Sequence, residues 1–184
     1  KDFIDYYKKY IVANIDIFSI LRPLHEIHVS EMFASYKQYF DVFSSCNKNF
    51  KVNEENIPQR WCCKCEKCVF VYIILHVFLQ PSTMISIFWE DILDNFDNLS
   101  IVKALVWLWD NKPFECVGTE QETQFAIAQI YNKRYKHSNY VPSVIQYLIS
   151  DISWINIQHK TKPIIEKYNN CIPKRFINRI KVPI

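Results

Sequence analysis

Nine residues constrain this chain more than any others: Arg60-Trp61-Cys62-Cys63-Lys64-Cys65-Glu66-Lys67-Cys68. Two residues separate Cys62 from Cys65, two more separate Cys65 from Cys68, and the sequence then turns apolar. Ligands two residues apart form one knuckle of a tetrahedral metal site. If the apolar run is helical, Cys68 stands one turn beyond Cys65 and both sulfurs can face the same point. The fourth ligand must come from elsewhere, and Cys46, upstream across a polar loop from Asn47 to Gln59, is the natural candidate. Cys63 points the other way and is not expected to be a ligand. Such a site ties a loop to a helix start.

Three occupants of the cluster stay open. Zinc with four thiolates suits the spacing, and four protein ligands would make its role structural, because no position is left for a substrate. The same run occurs in ferredoxin-like iron–sulfur binding, which wants a fourth cysteine close to a proline, and none stands there. A set of reduced thiols without metal is the plain alternative. Seven cysteines, an odd number, and no visible secretory signal point to reduced thiols and a cytoplasmic chain.

Hydrophobic spacing reads as mainly α. Asp2 to Ala13 is expected to be a helix, and Ile15 to Leu21 a short N-terminal strand ending before Pro23. Ser30 is a plausible N-cap for a helix through Tyr36, with Val29, Met32, Phe33 and Tyr36 on one face. From about Cys65 to Leu79 the chain is apolar on all sides, a buried helix stopped by Pro81. Ser82 can cap a helix carrying Ile85, Phe88, Trp89 and Ile92, and Asp97 can begin another with Val102, Leu105, Val106 and Trp109. Thr119 and Glu122 spell a capping box that opens a helix to about Lys133. Helical patterns continue over Pro142 to Ile152 and Pro163 to Tyr168. The expected architecture is one compact helical domain over residues 1–184, with a loop-to-helix metal-binding knuckle built from four cysteines.

Composition excludes several functions. Only one glycine, Gly118, occurs among 184 residues, so no glycine-rich phosphate loop is present. The net charge of +3 is mild, and the basic residues near the end (Lys174, Arg175, Arg179, Lys181) read as a solvated face rather than a nucleic-acid surface. The longest apolar run, Val69 to Leu79, is too short to span a bilayer, so no membrane partner is expected. The chain opens on Lys1, not methionine, and is expected to be a fragment or a processed or trimmed piece.

Around the cysteines, Ser45-Cys46-Asn47 and Arg60-Trp61-Cys62 through Cys68-Val69-Phe70-Val71 resemble the UDP-N-acetylmuramoyl-L-alanyl-L-glutamate epimerase family, MurL. Lys112-Pro113-Phe114-Glu115-Cys116-Val117-Gly118 and the Phe88 to Leu93 segment share the resemblance, which covers roughly residues 15 to 130. It implies an ATP- and magnesium-dependent isomerase of peptidoglycan precursor synthesis. Such an enzyme adenylates the terminal L-glutamate of a UDP-linked muramoyl dipeptide and inverts its α-carbon. The family's glycine is Cys63 here, and its proline is Glu66. The resemblance also implies an ATP-pyrophosphatase-like nucleotide-binding half, which would precede residue 1 and could be separately encoded; this part alone is expected to be inactive. Related cysteines hold zinc in 7-cyano-7-deazaguanine synthases, a likeness by analogy only. The reading from another class is a non-catalytic, zinc-stabilised helical module that binds nucleic acid or a protein partner.

Glu115 and Cys116 are the candidate catalytic residues. Glu115 could act as a base or hold magnesium, and Cys116 could carry a proton if its pKa is lowered. Lys112, Gly118, Thr119 and Glu120 are the candidate substrate-binding residues. Glycine at 118 would allow a backbone conformation closed to other residues, and the following helix start would offer N–H groups to a carboxylate or phosphate. The bland alternative is an ordinary helix start with Glu122 as its cap. His25, His28, His76, His137 and His159 form no motif, and His76 is expected to be a hydrogen-bonded core histidine.

Overall fold

A central helix buried on every side organises the larger part of the molecule. A computed structural model describes residues 2–50, 59–106, 108, 117–151, 154–158, 160–164 and 176. Two compact units are distinguished: Lys1–Leu24 with Ile165–Ile184, and His25–Ile164. In the first, helix α1 (Asp2–Tyr10) has no buried residue, and Phe18 packs against Phe176 with ring centroids 5.1 Å apart.

In the second unit, α2 spans Glu26–Phe33, α3 Glu66–His76, α4 Pro81–Phe88, α5 Leu99–Leu105, α6 Glu120–Ile130, α7 Ser143–Ser150 and α8 Trp154–Ile157. Helix α3 packs against α2, α4, α5 and α6. Its unbroken apolar stretch has a physical cause: with helices on several sides, eight of its eleven residues are buried, including Phe70, Tyr72, Ile73 and His76. Its C-terminal end is closed by Arg134, whose Nε and Nη2 donate to the His76 carbonyl at 3.2 and 3.1 Å. That places a cation where the helix dipole favours one. Arg134 gets there because α6 runs on into a π-helical turn, Tyr131–Tyr135.

Several expectations are corrected. Among the described residues there is no strand: 15–19 are irregular and a turn follows. Ile15, Ile17 and Leu21 are exposed, and among the described residues no second strand offers the ladder a lone strand needs. Helix α2 starts at Glu26, with His25 rather than Ser30 in the cap position. Ser30 is buried within it and Tyr36 is exposed. Helix α4 starts on Pro81 after Gln80, not on a Ser82 cap, because proline's fixed φ suits the first helical position. On that helix Phe88 is buried, whereas Ile85 and Trp89 are exposed. Trp109, His159 and most of the Pro163 to Tyr168 stretch lie outside the described residues. Among the described residues, no helix is long and apolar enough to cross a membrane.

Candidate metal centre

Four sulfurs converge where α3 begins. The Sγ atoms of Cys46, Cys62, Cys65 and Cys68 all lie within 4.8 Å of one another. Cys62 and Cys68 are 3.7 Å apart, and Cys65 and Cys68 3.4 Å. A disulfide would bring two sulfurs to about 2.0 Å. A tetrahedral zinc with Zn–S bonds of about 2.3 Å holds its sulfurs about 3.8 Å apart. The observed separations are thus those of ligands, and the donor set suits a soft or borderline cation.

Both limbs of the site are pinned. Cys46 precedes a 3₁₀ turn, Asn47–Phe50. Ser44 Oγ donates to the Arg60 carbonyl at 2.6 Å, and Asn49 Nδ2 donates to the same carbonyl. Cys65 occupies the N-cap position of α3, where no side chain caps the helix, and Cys68 follows in its first turn. Asn98, buried, donates from Nδ2 to the Cys63 carbonyl at 3.2 Å and the Ile92 carbonyl at 3.1 Å, fastening the knuckle to the chain beyond α4.

The electrostatics ask for a cation. Hydrogen bonding with Cys62, then with Cys68, holds the Cys65 thiol well below the usual thiol range, with backbone N–H groups of Cys68 and Asn47 adding to it. Cys62 is pushed up to about 11, chiefly by its hydrogen bond to Cys65. Cys68 is pushed up as well, by its bonds to Cys62 and Cys65 and by burial. Four thiolates together would need a positive ion among them. Cys63 stands apart: its Sγ donates to the Phe88 carbonyl at 3.1 Å, its backbone is left-handed with φ 58°, and burial pushes its thiol up to about 12.

Gly118 has a different role from the one expected. Its φ is not positive. A Cβ there would come within 2.6 Å of Phe70 Cζ and 2.7 Å of Glu122 Oε2, so glycine is required by close approach, not by an unusual backbone. The start of α6 is likewise already occupied. Glu122 Oε2 accepts from Thr119 N at 2.7 Å and Thr119 Oγ1 at 3.0 Å, while Thr119 Oγ1 accepts from Glu122 N at 3.3 Å. The same carboxylate reaches α2, where Oε1 accepts from Ile27 N at 3.0 Å, and His25 Nδ1 lies 3.9 Å from Oε2. One fully buried carboxylate therefore caps two helices.

Comparison with known proteins decides the family. The model of the MurL C-terminal domain matches residues 42–161. The chain belongs to the MurL C-terminal domain family. It is 37% identical over 129 residues to a UDP-N-acetyl-alpha-D-muramoyl-L-alanyl-L-glutamate epimerase of Xanthomonas oryzae pv. oryzae (strain MAFF 311018), covering 70% of this chain and 29% of that protein. An epimerase of the same name from Micromonospora sp. (strain ATCC 39149 / NRRL 15099 / SCC 1413) is 36% identical over 111 residues, 60% of this chain and 24% of that protein. A third, from Salinispora tropica (strain ATCC BAA-916 / DSM 44818 / JCM 13857 / NBRC 105044 / CNB-440), is 32% identical over 137 residues, 74% of this chain and 30% of that protein. The chain thus spans less than a third of the length of the curated relatives it matches. No solved structure matches it.

The four candidate ligands of this MurL-family domain, Cys46, Cys62, Cys65 and Cys68, lie in the matched segment, as do Gly118, Thr119 and Glu120. Lys112, Glu115 and Cys116 fall outside the described residues. Sequence reasoning missed the residues that hold the site together. Ser44, Asn49 and Asn98 carry no motif, and the reach of Glu122 to Ile27 crosses 95 residues without a local signal.

Proposed function

We propose that this chain is the C-terminal part of an ATP-dependent epimerase that inverts the terminal L-glutamate of UDP-MurNAc-L-Ala-L-Glu, a cytoplasmic step of peptidoglycan precursor synthesis. The observation that carries the reading is the family match over residues 42–161, which encloses the cysteine knuckle. The names of the three relatives supply the substrate. In this reading zinc is held by Cys46, Cys62, Cys65 and Cys68 and serves as a closed structural site that fixes the start of α3.

The chemistry is set by the poor acidity of a proton beside a carboxylate. The glutamate α-carboxylate attacks ATP and releases pyrophosphate. The acyl-adenylate so formed has lost the carboxylate charge and can support an enolate. A base removes the α-proton, a proton returns to the opposite face, and water releases AMP and the D-isomer. ATP and magnesium would be bound mainly by the part of the relatives that this chain does not cover. Glu115 is proposed as base or magnesium ligand and Cys116 as a proton carrier. Lys112, Gly118, Thr119 and Glu120 are proposed as the substrate-facing turn. With Glu122 occupying the start of α6, this turn would present a braced backbone edge rather than an open anion site.

The test supplies the uncovered N-terminal portion of the Xanthomonas relative in trans. The mixture is incubated with UDP-MurNAc-L-Ala-L-Glu, ATP and magnesium in heavy water. Chiral analysis after hydrolysis should find deuterated D-glutamate in the mixture and none with either piece alone. Absence of D-glutamate in every arm would overturn the reading.

A further inference from the structure

The exposed end of α4 carries a side chain that its backbone does not favour. Trp89 closes the helix in the left-handed region, φ 64° and ψ −4°, with its N–H bonded to the Ile85 carbonyl at 2.7 Å. Glycine or asparagine is the low-strain choice at such a position, and a bulky residue there is an outlier. Nor does the indole fill the core, for Trp89 is 46% exposed. Strain held in place by its surroundings is a reason to look for a function.

Those surroundings are held by buried contacts and hydrogen bonds. Trp61 and Phe88 are fully buried and pack with ring centroids 4.6 Å apart and planes tilted by 41°. Their sequence neighbours repeat the pairing outside: the Arg60 guanidinium carbon lies 5.3 Å from the centroid of the Trp89 ring. The Arg60 carbonyl is held by Ser44 and Asn49, and the Phe88 carbonyl by Cys63. Arg60 Nε has no hydrogen-bond partner, and among the described residues no carboxylate forms an ion pair with this arginine. A half-open indole flanked by a planar cation with no carboxylate partner among the described residues is thus mounted on the cysteine knuckle.

We propose that Arg60 and Trp89 form a binding platform for a nucleoside diphosphate, the indole stacking on the base and the guanidinium meeting the phosphates. Resting on the epimerase reading, the occupant is the uridine diphosphate end of the substrate. Stacking on an aromatic ring accepts any base through its π-face, and a guanidinium fork matches phosphate oxygens. The nucleotide lies at the opposite end of the substrate from the glutamate being inverted. A grip there can supply binding energy remote from the reacting carbon.

The experiment titrates UDP, ADP or inorganic pyrophosphate into the whole chain as purified and follows the tryptophan indole resonances by NMR. UDP should shift one indole saturably and bind more tightly than ADP or pyrophosphate. Trp89→Asn, which suits the left-handed backbone, should keep the fold and weaken UDP binding by roughly tenfold or more, as should Arg60→Ala. Trp89→Phe should retain most of the affinity. Metal content and thermal unfolding, measured on each variant, report whether it folds. Absence of UDP binding, or equal binding by folded Trp89→Asn, would overturn the platform; ADP or pyrophosphate binding as tightly as UDP would overturn the uridine assignment. The readout is binding to this chain, not turnover, so the platform can fail while the epimerase reading stands, and the reverse.

Discussion

Helices α3 and α6 lie side by side, yet their N-terminal ends are completed in opposite ways. The start of α6 is finished by its own residues: Thr119 and Glu122 satisfy each other, and the spare oxygen of Glu122 also serves α2. At α3, Cys65 stands at the N-cap without capping by any side chain, and three further sulfurs crowd beside it. The first end is stable with what the chain provides. The second calls for an ion. The contrast teaches that a helix start can be closed by a carboxylate read locally from sequence, or left as a socket whose stability depends on what binds there.

The sharpest way to break the contrast is to remove one ligand. Cys65→Ser should abolish metal binding and unfold much of the His25–Ile164 unit, because binding energy at a structural site is folding energy. Elemental analysis with circular dichroism checks this; a variant that keeps the wild-type unfolding midpoint without metal would show that α3 needs no ion. The corresponding change at the self-sufficient end is Glu122→Ala, which strands the N–H groups of Thr119 and Ile27. It should cost about 3 kcal/mol in urea unfolding while leaving metal stoichiometry unchanged.

The far end of α3 supplies a pH arm. His76 is fully buried, and desolvation first, then Arg134, lowers its pKa from 6.5 to about 3. Between these values the unfolded chain binds the proton and the folded chain does not, so stability rises with pH across that window and is lost as pH falls below about 6.5. By pH 5 the loss should be about 2 kcal/mol, and His76→Phe should remove that slope while leaving any acid lability of the cysteine site. Smaller still, Gly118→Ala should cost about 1 to 2 kcal/mol, since its Cβ would press on Phe70 and Glu122. An unchanged unfolding midpoint would mean that both neighbours yield freely.

What the sequence makes legible divides along the same line. The spacing of Cys62, Cys65 and Cys68, the apolar run that becomes α3, and the Thr119–Glu122 box are local patterns, and each appears in the expected place. The start of α2 departs from expectation because it depends on Glu122, far along the chain, rather than on Ser30. The stretch from Ile15 to Leu21 reads as a short strand, but a local apolar stretch supplies no partner to pair with. Gly118 reads as a conformational device, whereas its need is set by the Phe70 ring, a contact visible only in three dimensions.

The most direct test of the four-sulfur socket is X-ray absorption at the zinc edge on the chain as purified, together with its metal content. One zinc per chain, surrounded by four sulfurs at about 2.3 Å, is the predicted result. An iron signal, a first shell containing nitrogen or oxygen, or a folded chain with no metal would contradict the account.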